Sequence, residues 1–90
     1  MRSKKITIHG RVQGVFFRDS AKQIADELGI FGWIKNRLDG TVEILARGEE
    51  EKLDEFIRWC KQGPGYARVD RVEIQEIEVF EDLKDFRIMF

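Results

Sequence analysis

The 90 residues contain one cysteine, one histidine and one proline, and no apolar run approaches the ~18 residues of a membrane-spanning helix. Each shortage excludes something. Cys60 alone cannot close an internal disulfide, and with His9 as the only histidine no Cys/His zinc set can be assembled. A solitary cysteine fits a reducing compartment, and the opening "MRSKKITIHG" lacks the apolar core of a secretory leader. The expectation is a soluble, cytoplasmic chain without a membrane partner. Charge of one sign is also missing, since sixteen Lys/Arg stand against seventeen Asp/Glu. Bulk electrostatics therefore offers nucleic acid no general attraction, and any anion must be held by a local arrangement.

What is present fits a single domain over residues 1–90. Apolar residues make up 42%, enough for the modest core of a chain that buries roughly 60 to 65% of its unfolded surface. Charged residues reach 37%, above the ~25% of an average protein, which suits a surface rich in ion pairs.

Hydrophobic spacing divides the chain. Residues 4 to 12 alternate, with Ile6, Ile8, Gly10 and Val12 on one face and Lys5, Thr7, His9 and Arg11 on the other, the pattern of a half-buried strand. After Gly14 the period changes to that of a helix, through Phe17, Ala21, Ile24, Ala25 and Leu28, and Gly29 supplies a stop. "FGWIKNRLDGTVEILARG" reads as two strands around Asp39-Gly40, a dipeptide suited to the positive φ angles of a tight hairpin turn. "EEEKLDEFIRWCKQGPG" reads as a second helix, with acids in its first turn and an apolar stripe of Leu53, Phe56, Ile57 and Cys60. Strand character returns over residues 68 to 80 through Val69, Val72, Ile74, Ile77 and Val79, with a phase slip expected near Gln75-Glu76. A short strand from Phe86 to Phe90 closes the chain. The order βαββαβ plus a terminal strand predicts an α+β, ferredoxin-like two-layer sandwich, an antiparallel sheet with two helices on one face.

The chemistry concentrates in "IHGRVQGVFFRDS", residues 8 to 20. A loop that feeds a helix N-terminus presents unpaired N–H groups, glycine lets a ligand approach them, and a guanidinium can clamp two phosphate oxygens. On the residues alone two readings stand: a phosphate cradle with Arg18, and ordinary strand-to-helix turn chemistry. Neither a Walker loop nor a dinucleotide fingerprint fits the spacing.

This stretch resembles the first signature of the acylphosphatase family, an aliphatic residue two before a glycine and then Val-Gln-Gly-Val-x-Phe-Arg. Ile8, Gly10, Val12, Gln13, Gly14, Val15, Phe17 and Arg18 meet every fixed position. "GWIKNRLDGTV" is similar to the second signature through Gly32, Trp33, Lys35, Asn36, Gly40 and Val42, with Ile34 larger than the usual valine or alanine. "GPGYARVDRV" is similar to the family's Gly-Pro-x-x-Ala-x-Val segment.

The resemblance implies hydrolysis of small acyl phosphates without metal or cofactor, by a monomer. Arg18 and the backbone N–H groups of Gln13, Gly14, Val15, Phe16, Phe17 and Arg18 would bind the phosphoryl oxygens, and Asn36 would orient the attacking water. It also implies a C-terminal carboxylate, that of Phe90, near Arg18. Read from their own positions, Arg11 is a solvated strand residue, His9 a surface histidine without a visible partner, Cys60 a core residue, and Phe16 and Phe17 packing residues, one of which walls the pocket. The rival reading is a binding module, for a small anion at the loop or for RNA on the open sheet face. The strand "TVEILARG" lacks the aromatic pattern of an RNA-recognition sheet, so no nucleic-acid partner is expected.

Overall fold

Alternation in the first strand is the element from which the architecture grows. In the computed structural model, which describes residues 1–78 and 82–90, β1 runs Arg2–Arg11. Ile6 and Ile8 are fully buried, as is Val12 just beyond the strand. The remaining elements are α1 (Phe17–Leu28), β2 (Phe31–Asn36), β3 (Val42–Gly48), α2 (Glu50–Gln62), β4 (Arg68–Ile77) and β5 (Phe86–Ile88). They form one sheet of order β4-β1-β3-β2-β5.

Register explains the two layers. Ile6 pairs with Ile44 and Ile74, Ile44 with Ile34, and Ile34 with Ile88, so a row of isoleucines crosses the sheet on one face. One residue along, Gln75, Lys5, Leu45, Trp33 and Arg87 form the corresponding row on the opposite face. Both helices cover the isoleucine face: Phe17, Ala21 and Ala25 of α1 and Leu53, Phe56, Ile57 and Cys60 of α2 are buried against it. Phe17 meets Trp59 edge-on at 5.3 Å between ring centroids, and Phe56 meets Phe86 at 5.8 Å. Burial pushes the Cys60 thiol far above its usual value. A thiol that keeps its proton is no nucleophile, in keeping with a core role.

Three local expectations are corrected. First, the sheet is mixed, because β5 runs parallel to β2. β4 runs opposite to β2, so a strand that reverses direction after β4 enters alongside β2 with the same direction. Second, the β2–β3 hairpin is not a two-residue turn. Arg37 N–H donates to the Thr41 carbonyl at 2.9 Å and Gly40 N–H to that of Arg37 at 3.2 Å. Gly40 alone takes a positive φ, of 90°, while the Asp39 carboxylate accepts from the Thr41 N–H at 3.0 Å and hydroxyl at 2.6 Å.

Third, pairing is unbroken at Gln75 and Glu76, and the register shifts instead where His9 pairs with Arg71 and Gly10 with Val69. Asp70 is the extra residue, and a Cβ on Gly10 would collide with the Arg68 carbonyl oxygen. The bulge lets Val69 and Val72 both pack against the core. Ile77 breaks the apolar period because it stands opposite Ser3, on the open face. Val79 and Phe80, expected in this strand, lie outside the described residues. Among the described residues no helix is long and apolar enough to cross a membrane.

Candidate active site

β1 delivers the chain to the loop before α1 in an unusual conformation. Gly14 has φ 74° and Phe16 φ 64°, ψ 24°, whereas Val15 between them is not in the left-handed region. Positive φ on either side of Val15 is the backbone pattern of a nest, in which successive N–H groups turn toward one point. Among the described residues none of the N–H groups from Gly14 to Asp19 donates to a backbone carbonyl. Phe16 caps α1 without a side-chain hydrogen bond, so no side chain at the cap offsets the positive end of the helix. Val15, 6% exposed, roots the loop in the core.

Arg18 rises from the first turn of α1. Its Nη1 makes a long 3.4 Å contact to the Met89 carbonyl oxygen, and its Cζ lies 5.0 Å from the centre of the Phe90 ring. Among the described residues no carboxylate, that of Phe90 included, lies within 4.0 Å of the guanidinium. The expectation of a C-terminal carboxylate on Arg18 is replaced by a carbonyl and a ring, because Met89 N–H is fixed to the Ile34 carbonyl at 2.8 Å and carries the terminus past Arg18. Among the described residues the guanidinium has no ion-pair partner within 4.0 Å.

Asn36, the last residue of β2, shares a cavity of about 380 Å³ with Arg18. Gly14, Phe16, Phe17 and Asp19 line it from the loop and α1, Val12 from the end of β1, and Ile88 and Phe90 from the C-terminal segment. Asn36 Oδ1 is buried with no hydrogen-bond partner among the described residues. An orphaned acceptor costs ~1 to 3 kcal/mol. A second cavity, of about 390 Å³, lies at Arg2, Arg47 and Glu76 and contains none of the candidate site residues.

Gln13 and Val15 do not line the shared cavity. The Gln13 side chain is committed elsewhere, its Nε2 donating to the carbonyl oxygens of Arg37 at 2.7 Å and Thr41 at 2.9 Å. A primary amide carries two hydrogens on one nitrogen, so Gln13 ties the loop to the hairpin that bears Asn36. Sequence reasoning missed this tie, because the two carbonyls lie 24 and 28 residues away in the chain.

Glu43 was missed too. Although it sits on the open face, it is 5% exposed and surrounded by Lys5 Nζ at 3.1 Å, Arg37 Nη1 at 2.9 Å and Lys35 Nζ at 3.5 Å. Burial pushes its carboxyl upward, but the hydrogen bond and charge of Lys5 and the charges of Arg37 and Lys35 outweigh this and hold it below the usual value. Lys35 and Arg37 flank Asn36 in sequence, so Glu43 clamps both sides of the strand end. His9 gains the partner it lacked in sequence, Glu73 at 2.9 Å, which also binds Arg71 at 2.7 Å. Arg11 stays exposed.

The structure is a ferredoxin-like α+β sandwich whose first strand-to-helix loop, with Arg18 at its end, faces an asparagine from the second strand across one cavity. The acylphosphatase family model matches residues 4–88, and the chain belongs to that family. It is 50% identical over 82 residues to an acylphosphatase of Legionella pneumophila (strain Corby), covering 91% of this chain and 89% of that one. The crystal structure of acylphosphatase from Bacillus subtilis superimposes with a TM-score of 0.95 at 39% identity, covering 100% of both chains. The chain is also similar to a part of HypF from T. kodakarensis, with TM-score 0.88 and 34% identity over 100% of this chain and 12% of that one.

Proposed function

We propose that the chain is a cytoplasmic, monomeric acylphosphatase that needs no metal or cofactor, cleaving the carboxyl–phosphate bond of acyl phosphates. The observation that carries this reading is the single cavity shared by the Gly14–Arg18 nest and Asn36. Phosphoryl transfer passes through a loose transition state with charge spread over the equatorial oxygens, so positioning and charge supply most of the catalysis. The loop N–H groups and the Arg18 guanidinium receive those oxygens. Asn36 Nδ2 donates to the lone pair of a water and aims it at phosphorus.

The bond from water oxygen to phosphorus forms as the bond from phosphorus to the acyl oxygen breaks. The carboxylate departs as a stable anion and needs little help from an acid. Both protons of the water end on the phosphate, so a dianionic acyl phosphate yields a carboxylate and dihydrogen phosphate. An amide is a poor base, and in this scheme the substrate's own phosphate takes the proton.

The test is hydrolysis of benzoyl phosphate by the purified chain, undiminished by EDTA and competitively inhibited by inorganic phosphate. Folded protein that hydrolyses none of several acyl phosphates would leave the binding module as the correct reading.

A further inference from the structure

The shared cavity has more walls than phosphate chemistry needs. Phe16 and Phe90 both line it, yet they are 69% and 103% exposed. Phe16 reaches this position at a cost, because a bulky residue at φ 64° occupies backbone space that favours glycine. It also fills the one unspecified position of the Val-Gln-Gly-Val-x-Phe-Arg motif, so the cradle does not require an aromatic ring there. Neither ring is buried in the core, and Phe90 is set against the Arg18 guanidinium.

Resting on the acylphosphatase reading, we propose that Phe16 and Phe90 form the acyl subsite and select acyl phosphates with aromatic or bulky apolar acyl groups. With the phosphoryl group at the nest and Arg18, the rest of the substrate meets the remaining lining, where Val12, Phe16, Ile88 and Phe90 are apolar. Aromatic rings offer a flat acyl group large contact area in offset or edge-on packing. Asp19 also lines the cavity.

The experiment measures binding without turnover. Phenacylphosphonate and acetonylphosphonate, in which a CH₂ replaces the bridging oxygen, are titrated calorimetrically into the intact protein and into Phe16→Ala and Phe90→Ala. A missing apolar group in a pocket changes affinity by roughly 10- to 200-fold, and at this open site the phenacyl compound should bind about tenfold more tightly. In each variant the difference should shrink to less than about threefold. Phe16→Leu, which keeps apolar bulk, should retain most of it. Equal binding of the two phosphonates to the parent, or a preference that persists in both alanine variants, overturns the subsite. That result leaves the proposed reaction standing as long as benzoyl phosphate is hydrolysed. If no acyl phosphate is hydrolysed and neither phosphonate binds, the proposed function itself fails.

Discussion

Gln13 and Arg37 are joined by a 2.7 Å hydrogen bond from side-chain amide to backbone carbonyl, and the same nitrogen reaches Thr41 at 2.9 Å. Arg37 directly follows Asn36, so the loop proposed to hold phosphate and the strand end proposed to hold water are fixed to each other through one side chain. Gln13→Ala should lower kcat/KM by roughly ten- to a hundredfold, as expected when reacting groups are misplaced by about an ångström. Its stability loss in urea unfolding should be only about 1 to 2 kcal/mol. Gln13→Glu should be worse at neutral pH, where a carboxylate faces two carbonyl oxygens, and should recover partly on acidification.

Arg18 makes one long contact to Met89 and one to the Phe90 ring, so little of the fold depends on it. Arg18→Ala should keep the parent unfolding midpoint but lose about 1.5 to 3 kcal/mol of phosphate affinity, the range for charge-assisted hydrogen bonds. The inhibition constant of inorganic phosphate is the readout. Arg18→Lys should not restore it, because an ammonium cannot match two oxygens with a planar fork.

For Asn36 the expected outcome separates activity from stability. Removing the group that orients water should cost about 2 to 4 kcal/mol in the barrier, comparable with loss of one preorganised catalytic donor. Yet Asn36→Ala also removes the orphaned buried Oδ1, an atom whose desolvation the fold now bears unpaid. The variant should be slow and at least as stable as the parent. Unchanged turnover would remove Asn36 from the reaction.

These residues were unequally legible in the sequence. Arg18, Gly14 and Asn36 lie in short motifs, and the helix stripes from Phe17 and Leu53 follow a local period, so neighbouring residues suffice to recognise them. Gln13 bonds carbonyls 24 and 28 residues away, and nothing nearby in the chain signals that partnership. Glu43 looks like the outward residue of an alternating strand until three cations converge on it from β1, β2 and the hairpin. The bulge at Asp70 was misplaced for a related reason. Apolar spacing assumes one buried face, whereas Ile77 faces the open side of the sheet and imitates a slip. The direction of β5 depends on where β4 ends, which no window of local sequence contains.

Glu43 provides the pH prediction. Its folded carboxyl sits below the ordinary glutamate value of 4.5, so its ion pairs contribute fully above about that pH and are lost as pH falls through the folded value. Glu43→Gln should therefore be less stable than the parent at pH 7, by about 1 to 3 kcal/mol for loss of hydrogen bonds to a charged group. The two proteins should converge in acid, below the folded value, where the parent carboxyl is also neutral. Chemical unfolding at a series of pH values measures this directly, and a constant gap down to acid would show that charge is not the source. Because Lys35 and Arg37 flank Asn36, kcat/KM should also fall in Glu43→Gln at neutral pH. The ratio of parent to variant activity should then approach one along the same acid limb, since both would have lost the charge that holds the strand end in place.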